Sequence, residues 1–218
     1  MSMKEIIAKR AAKELQPYSV INLGIGIPTL VTNYVDTTLF YFHTENGMLG
    51  VKELEDRENF DPLLVNAGKL PVGEQEGSSF FHSADSFGMI RGGHVDTAIL
   101  GALQVDEKGL IANWAVPGQN ILGVGGAMDL LVGAKKVIVT TSHTTKNGDP
   151  KIVESCKYPI TSTRQIDMII TELAVFEFID NELVLTELGP EATIKEVIEK
   201  TGATFKISEA LQMEVGEK

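Results

Sequence analysis

A net charge of −11 spread over 218 residues argues against nucleic acid as the natural partner, because phosphate binding needs clustered Lys and Arg. With 43% apolar and 22% charged residues the chain has the balance of an ordinary globular protein and can bury a sizeable core. Cys156 is the only cysteine, which leaves no internal disulfide and no cysteine metal cluster and suits a reducing cytoplasm; no stretch approaches the ~20 apolar residues of a membrane span, and Met1 to Arg10 does not read as a signal peptide.

Ile6, Ile7, Ala11 and Leu15 recur near helical spacing, which predicts an amphipathic helix over Lys4 to Leu15 stopped by Pro17. Ser19 to Leu23 reads as a short strand. Gly24-Ile25-Gly26 then turns the chain into a helix over Pro28 to Tyr34, with proline in its first turn. Strand, glycine turn and helix make an α/β beginning.

A β-prone run from Leu39 to Phe42 ends at His43-Thr44-Glu45, followed by Asn46-Gly47 and Gly50. In open α/β sheets ligands bind at the carboxyl ends of strands. Glu45 is therefore the candidate reacting group, and Gly47 lets backbone or substrate come close because it has no Cβ. Taken alone, Glu45-Asn46-Gly47 reads more readily as a surface turn.

Lys52 to Asp61 reads as a charged, solvated loop, and Val65 to Gly68 and Val72 to Gly77 as connectors. Ser83 to Ile90 reads as a helix capped by Ser83 or Asp85. A strand over Thr97 to Leu100 is expected to continue through Asp106, turn at Glu107-Lys108-Gly109 and return over Leu110 to Trp114. Asp96 and His94 tempt one toward a catalytic pair, but such residues more often satisfy backbone groups of a tight loop. His43, His82, His94 and His143 show no metal-ligand spacing, so no metal is expected.

Gly123 to Leu130 is a second glycine-rich turn, leading to a helix ending at Val132 and a strand over Lys136 to Thr141. Freed N–H groups at Gly125 and Gly126 can form an anion nest suited to phosphate, carboxylate or a developing oxyanion. Ile166 to Ile170 reads as a strand. Val175 to Ile179 and Leu183 to Leu188 read as a hairpin about Asp180-Asn181. A helix over Thr193 to Lys200 stops at Gly202, a last strand covers Phe205 to Ile207, and the chain is expected to fray beyond Ser208. Without repeats or low-complexity tracts, residues 1–218 read as one α/β domain.

Taken together, Asn22 to Thr29, Glu45-Asn46-Gly47, Arg91 to Asp96, Leu100 to Asp106, Ala112-Asn113-Trp114 and Gly125 to Leu130 resemble the β (B) subunit of the family I coenzyme A-transferases, of the 3-oxoacid or acetate/butyrate–acetoacetate type. The resemblance covers roughly Lys4 to Ser208. It implies that Glu45 is the nucleophile, with Thr44 where the family usually has Ser, and with Leu110 and Val124 where Asn and Met are frequent. It further implies a mixed, mostly parallel sheet flanked by helices with a C-terminal β-hairpin. Its partner would be a separate α (A) subunit, usually in an α2β2 assembly. Coenzyme A would be substrate and covalent intermediate, with no permanently bound cofactor, and acyl-CoA and short-chain acids would be exchanged. Gly24, Gly26, Asn46, Gly47, Gly125 and Gly126 are candidates for CoA binding or oxyanion support. Two other readings stand beside this one. Gly24-x-Gly26 with Glu45 downstream is the start of a dinucleotide-binding fingerprint, although Thr29 occupies its third glycine position, and this would make an oxidoreductase. A non-catalytic scaffold role is the other.

Overall fold

Short runs of alternating apolar side chains build the centre of the molecule. In the computed structural model, which describes residues 1–54, 60–118 and 123–213, the strands are β1 (Val20–Leu23), β2 (Tyr41–Thr44), β3 (Met48–Lys52), β4 (Gly73–Phe80), β5 (Thr97–Gly101), β6 (Gln104–Asp106), β7 (Ile111–Ala112), β8 (Lys136–Thr140), β9 (Ile152–Val153), β10 (Met168–Ile170), β11 (Ala174–Ile179), β12 (Glu182–Leu188) and β13 (Lys206–Met213). The α-helices are α1 (Met3–Ala12), α2 (Ser83–Arg91), α3 (Ala127–Gly133) and α4 (Ile194–Lys200), and Ile27–Tyr34 forms a 3₁₀ helix. Among the described residues ten strands make one sheet in the order β13-β12-β11-β10-β8-β5-β1-β2-β3-β4. Its centre, from β10 to β2, is parallel, and antiparallel pairs flank it. This is the mixed, mostly parallel sheet that the resemblance implied.

Because successive strand residues face opposite sides, β5 and β8 feed two cores. Ala98, Leu100, Val137 and Val139 pack with Ile90 of α2 and Leu130 and Leu131 of α3. Ile99 and Ile138 face the other way, toward Ile7, Ala8 and Ala11 of α1 and Val31 of the 3₁₀ helix. Each fully buried Ile contributes roughly 1.5–3 kcal/mol, so helices on both faces are held mainly by this alternation.

Several boundaries differ from expectation. The first helix ends at Ala12; the chain then tightens into i→i+3 bonds, with the N–H groups of Lys13, Glu14 and Leu15 donating to Arg10, Ala11 and Ala12, so Pro17 comes too late to stop it. The cap of α2 is His82, whose Nδ1 accepts from the Ala84 N–H at 3.1 Å, in place of Ser83 or Asp85. The expected connector at Val72 to Gly77 instead enters β4, an edge strand held by backbone pairing to β3 with most side chains exposed. The strand at Thr97 does not continue to Asp106. The chain leaves the sheet after Gly101, and β6 pairs with β7 and β9 in a separate three-stranded sheet. At the far edge, Asp180 and Asn181 both take positive φ (52° and 64°), the geometry of a two-residue hairpin turn. The last strand does not fray at Ser208 but pairs in parallel with β12 as far as Met213. Part of the expected charged loop, residues 55–59, lies outside the described residues, as do residues 214–218.

Candidate active site

Parallel strands place their carboxyl ends along one edge, and β1, β2, β5 and β8 share that edge here. The register pairs Asn22 with His43, so the Gly24 turn after β1 and the Glu45 turn after β2 leave the sheet side by side. Thr44 and Met48 pair across a three-residue hairpin loop, Glu45-Asn46-Gly47, closed by the Gly47 N–H donating to the Thr44 carbonyl at 3.0 Å. Gly47 is required there. Its φ is +122°, and a Cβ would stand 2.1 Å from the Phe81 carbonyl oxygen. The Gly47 carbonyl in turn accepts from the Phe81 N–H at 3.0 Å, which docks the entry to α2 onto the loop.

The Glu45 carboxylate is half-buried and, among the described residues, makes no hydrogen bond or ion pair. What faces it is Gly126, the N-cap residue just before α3. A Cβ on Gly126 would stand 3.1 Å from Glu45 Cγ and 3.2 Å from Cδ and Oε1. The fold thus brings together a carboxylate without partners among the described residues and a backbone stripped of side chain from a distant part of the sequence. A nucleophile needs both an unengaged lone pair and room for the incoming carbonyl.

The other predicted residues fall around this pair unevenly. Asn46 is exposed, and its Nδ2 donates to the Val65 carbonyl at 2.8 Å, tethering the loop that follows β3. Gly24 packs the end of β1 on β5: its N–H donates to the Ile99 carbonyl at 2.8 Å, and a Cβ would come within 3.3 Å of the same oxygen. Gly26 and Gly125 both take positive φ (98° and 57°) beside open space. The Gly24–Gly26 turn feeds a 3₁₀ helix whose first turn holds Pro28, which has no N–H to offer a phosphate, unlike the α-helix start of a dinucleotide site. Asp96 satisfies the backbone as expected, accepting from the Val20 N–H at 2.8 Å and pairing with Lys135. Among the described residues no group of three or more His, Cys, Asp or Glu is arranged to hold a metal ion, and no helix is long and apolar enough to cross a membrane.

Residues outside the predicted set also crowd the loop. His43 is buried two residues before Glu45, stacked on Phe81 at 6.2 Å and hydrogen-bonded to Asn22 and Ser86. Burial pushes its imidazole down to about 4. In the sequence only its spacing from Glu45 hinted at this.

The coenzyme A transferase family pattern matches residues 4–200. The chain is 46% identical over 220 residues to the beta subunit of the acetate CoA-transferase of Haemophilus influenzae, an alignment that takes in 100% of this chain and 98% of that one. It belongs to the coenzyme A transferase family. Another relative, a component of the succinyl-CoA:3-ketoacid coenzyme A transferase of Helicobacter pylori, is 48% identical over 205 residues, covering 94% of this chain and 99% of that one. The transferase fold recurs in the acyl-CoA transferase YdiF of Escherichia coli O157:H7 (TM-score 0.79, 22% identity), where this chain is covered to 97% but spans only 43% of the longer protein. Near-equal identity to relatives named for different acids leaves the substrate of this transferase chain to its own pocket.

Proposed function

We propose that this chain is the β subunit of a two-subunit coenzyme A-transferase and that Glu45 carries CoA between a short-chain acyl-CoA and a carboxylic acid. The observation that carries the proposal is the Glu45 carboxylate standing without a partner, among the described residues, against Gly126 at the carboxyl edge of the parallel sheet. Its oxygen attacks the thioester carbonyl; the carbon–sulfur bond breaks, and a mixed anhydride and CoA thiolate result. The thiolate then attacks the Glu45 carbonyl carbon, which releases the donor's acid and leaves a glutamyl-CoA thioester. An acceptor carboxylate runs the two steps in reverse. One hard exchange becomes several easier ones, with no proton lost and no permanently bound cofactor. Each step passes through a tetrahedral oxyanion, for which the N–H groups of Gly125 and Gly126 are the candidate donors; losing one such donor costs about 2.7–4 kcal/mol.

An acidic chain is ill suited to hold the phosphates of CoA alone. Large apolar side chains are exposed close to the site: Ile25, 71% exposed, packs on Gly68, and Leu63 and Leu70 extend from the loop that Asn46 tethers. These features support an α subunit that covers this edge and excludes water from the anhydride; the assembly in this proposal is α2β2, in the cytoplasm. Acetoacetate with acetate or butyrate is the preferred acid pair of this proposal, with succinate as the alternative.

Ping-pong kinetics test it. Varying acetoacetyl-CoA at several fixed acetate concentrations with the two-subunit complex should give parallel double-reciprocal lines. Intersecting lines, or full turnover by this chain alone, would overturn the proposal.

A further inference from the structure

Among the described residues the Glu45 carboxylate has no hydrogen bond to hold it, so its position is inherited from the backbone on either side. That backbone is gripped by buried polar side chains whose hydrogen-bond directions can be deduced. The Asn22 carboxamide nitrogen lies 3.2 Å from the His43 carbonyl oxygen and 3.1 Å from His43 Nδ1. A carbonyl only accepts, so the NH2 end must face it, and the second amide hydrogen goes to Nδ1. Nδ1 is therefore the unprotonated nitrogen, and the ring proton sits on Nε2. Nε2 lies 2.8 Å from Ser86 Oγ and donates to it. The Ser86 hydroxyl hydrogen is then left for the Thr44 carbonyl, 3.4 Å away. That same carbonyl closes the Glu45 loop by accepting from the Gly47 N–H.

We propose that Asn22, His43 and Ser86 are positioning residues, a one-way hydrogen-bond chain from β1 through β2 to α2 that fixes the Thr44–Gly47 loop and thereby the stance of the Glu45 carboxylate. The proposal rests on the reading of Glu45 as nucleophile and extends it to groups that never touch substrate.

Two observations set it apart from ordinary core packing. All three side chains are buried to within 2% of full burial, yet among the described residues Asn22 Oδ1 and Thr44 Oγ1 have no partner. An orphaned buried polar atom costs stability, and apolar residues of similar shape would serve stability as well. The polar chain is explained by what it holds. Moreover, the sense of the chain is fixed, because a second proton on the His43 ring would have to displace Asn22. Burial of the imidazole works in the same direction and keeps it neutral at physiological pH.

The test uses the two-subunit complex with Ser86→Ala, which removes one oxygen, together with His43→Leu and His43→Gln. Gln offers one acceptor and one donor in the same sense as the neutral ring. A displacement approaching 1 Å costs on the order of 10²-fold in rate. Ser86→Ala and His43→Leu should accordingly lower kcat by roughly 10- to 100-fold, with KM for acetoacetyl-CoA within about twofold and CoA loading of Glu45 slowed equally. The double variant Ser86→Ala with His43→Leu should be no slower than the slower of those two single ones, and His43→Gln should recover most of the loss. Ser86→Ala loading Glu45 at the wild-type rate, a loss expressed in KM, or a His43→Gln variant as slow as His43→Leu would each overturn the positioning role while leaving Glu45 as nucleophile. Absence of CoA on Glu45 in the wild-type complex would instead remove the nucleophile, and the positioning role with it.

Discussion

Gly126→Ala separates the proposed reacting geometry from the stability of the fold. The Gly126 backbone, with φ −81° and ψ 1°, is one that alanine adopts without strain. Replacing glycine at such a site stabilises a protein by about 0.4–1 kcal/mol through the unfolded chain. The new methyl would nonetheless stand 3.1–3.2 Å from Glu45 Cγ, Cδ and Oε1, closer than ordinary contact at 3.4–4 Å. The Glu45 side chain is the softer partner and retreats by a few tenths of an ångström or more, while the space for an incoming carbonyl shrinks. Since a 1 Å misplacement costs about 10²-fold, kcat should fall roughly 5- to 50-fold while the thermal midpoint holds or rises. Gly125→Ala is the matched control. Its Cβ meets nothing within 4 Å, but φ +57° is strained for alanine, so it should lose about 1–2 kcal/mol of stability with a smaller loss of kcat. The assay is steady-state CoA exchange by the reconstituted complex beside a melting curve of each variant. Full kcat in a well-folded Gly126→Ala complex would refute the idea that the Glu45–Gly126 contact is where the chemistry occurs.

Gly47→Ala should destabilise the protein by roughly 2–5 kcal/mol, since it adds backbone strain at φ +122° to a clash with the Phe81 carbonyl, and urea unfolding measures this. The pH dependence of stability should reflect two histidines, because burial holds both His43 and His143 at about 4. The unfolded chain takes up these protons near pH 6.5 and the folded one only near 4. Their contribution is complete above 6.5 and is lost as pH falls through that window, at up to about 1.4 kcal/mol per pH unit for each histidine. His143→Gln should about halve this slope between pH 6 and 5; an unchanged slope would mean that His143 is not held neutral.

The central sheet was legible because its signal is local. The continuous apolar run in Lys136 to Thr141, and the alternation and turn residues of the two arms about Asp180-Asn181, stand in the sequence itself. Edge strand β4 was not, because Gly73 to Phe80 has no buried apolar face and owes its conformation to backbone pairing with β3. The break after Gly101 was also hidden. Thr97 to Asp106 reads as one run, but Leu103 donates its N–H to the Ala112 carbonyl and leaves the large sheet. At the site, a carboxylate at a strand end was legible in Glu45 alone. Its meeting with Gly126, and the links from His43 to Asn22 and Ser86, come from the order in which strands and helices assemble, which spacing along one strand does not encode.

The most direct test of the account is to find where CoA attaches. The two-subunit complex is incubated with acetoacetyl-CoA and no acceptor acid, reduced with borohydride, digested and mapped by mass. The peptide carrying Glu45 should be converted to the reduced side chain, and a Glu45→Ala complex, equally stable, should show neither conversion nor turnover. Modification at another residue, or none in a complex that turns over, would contradict it.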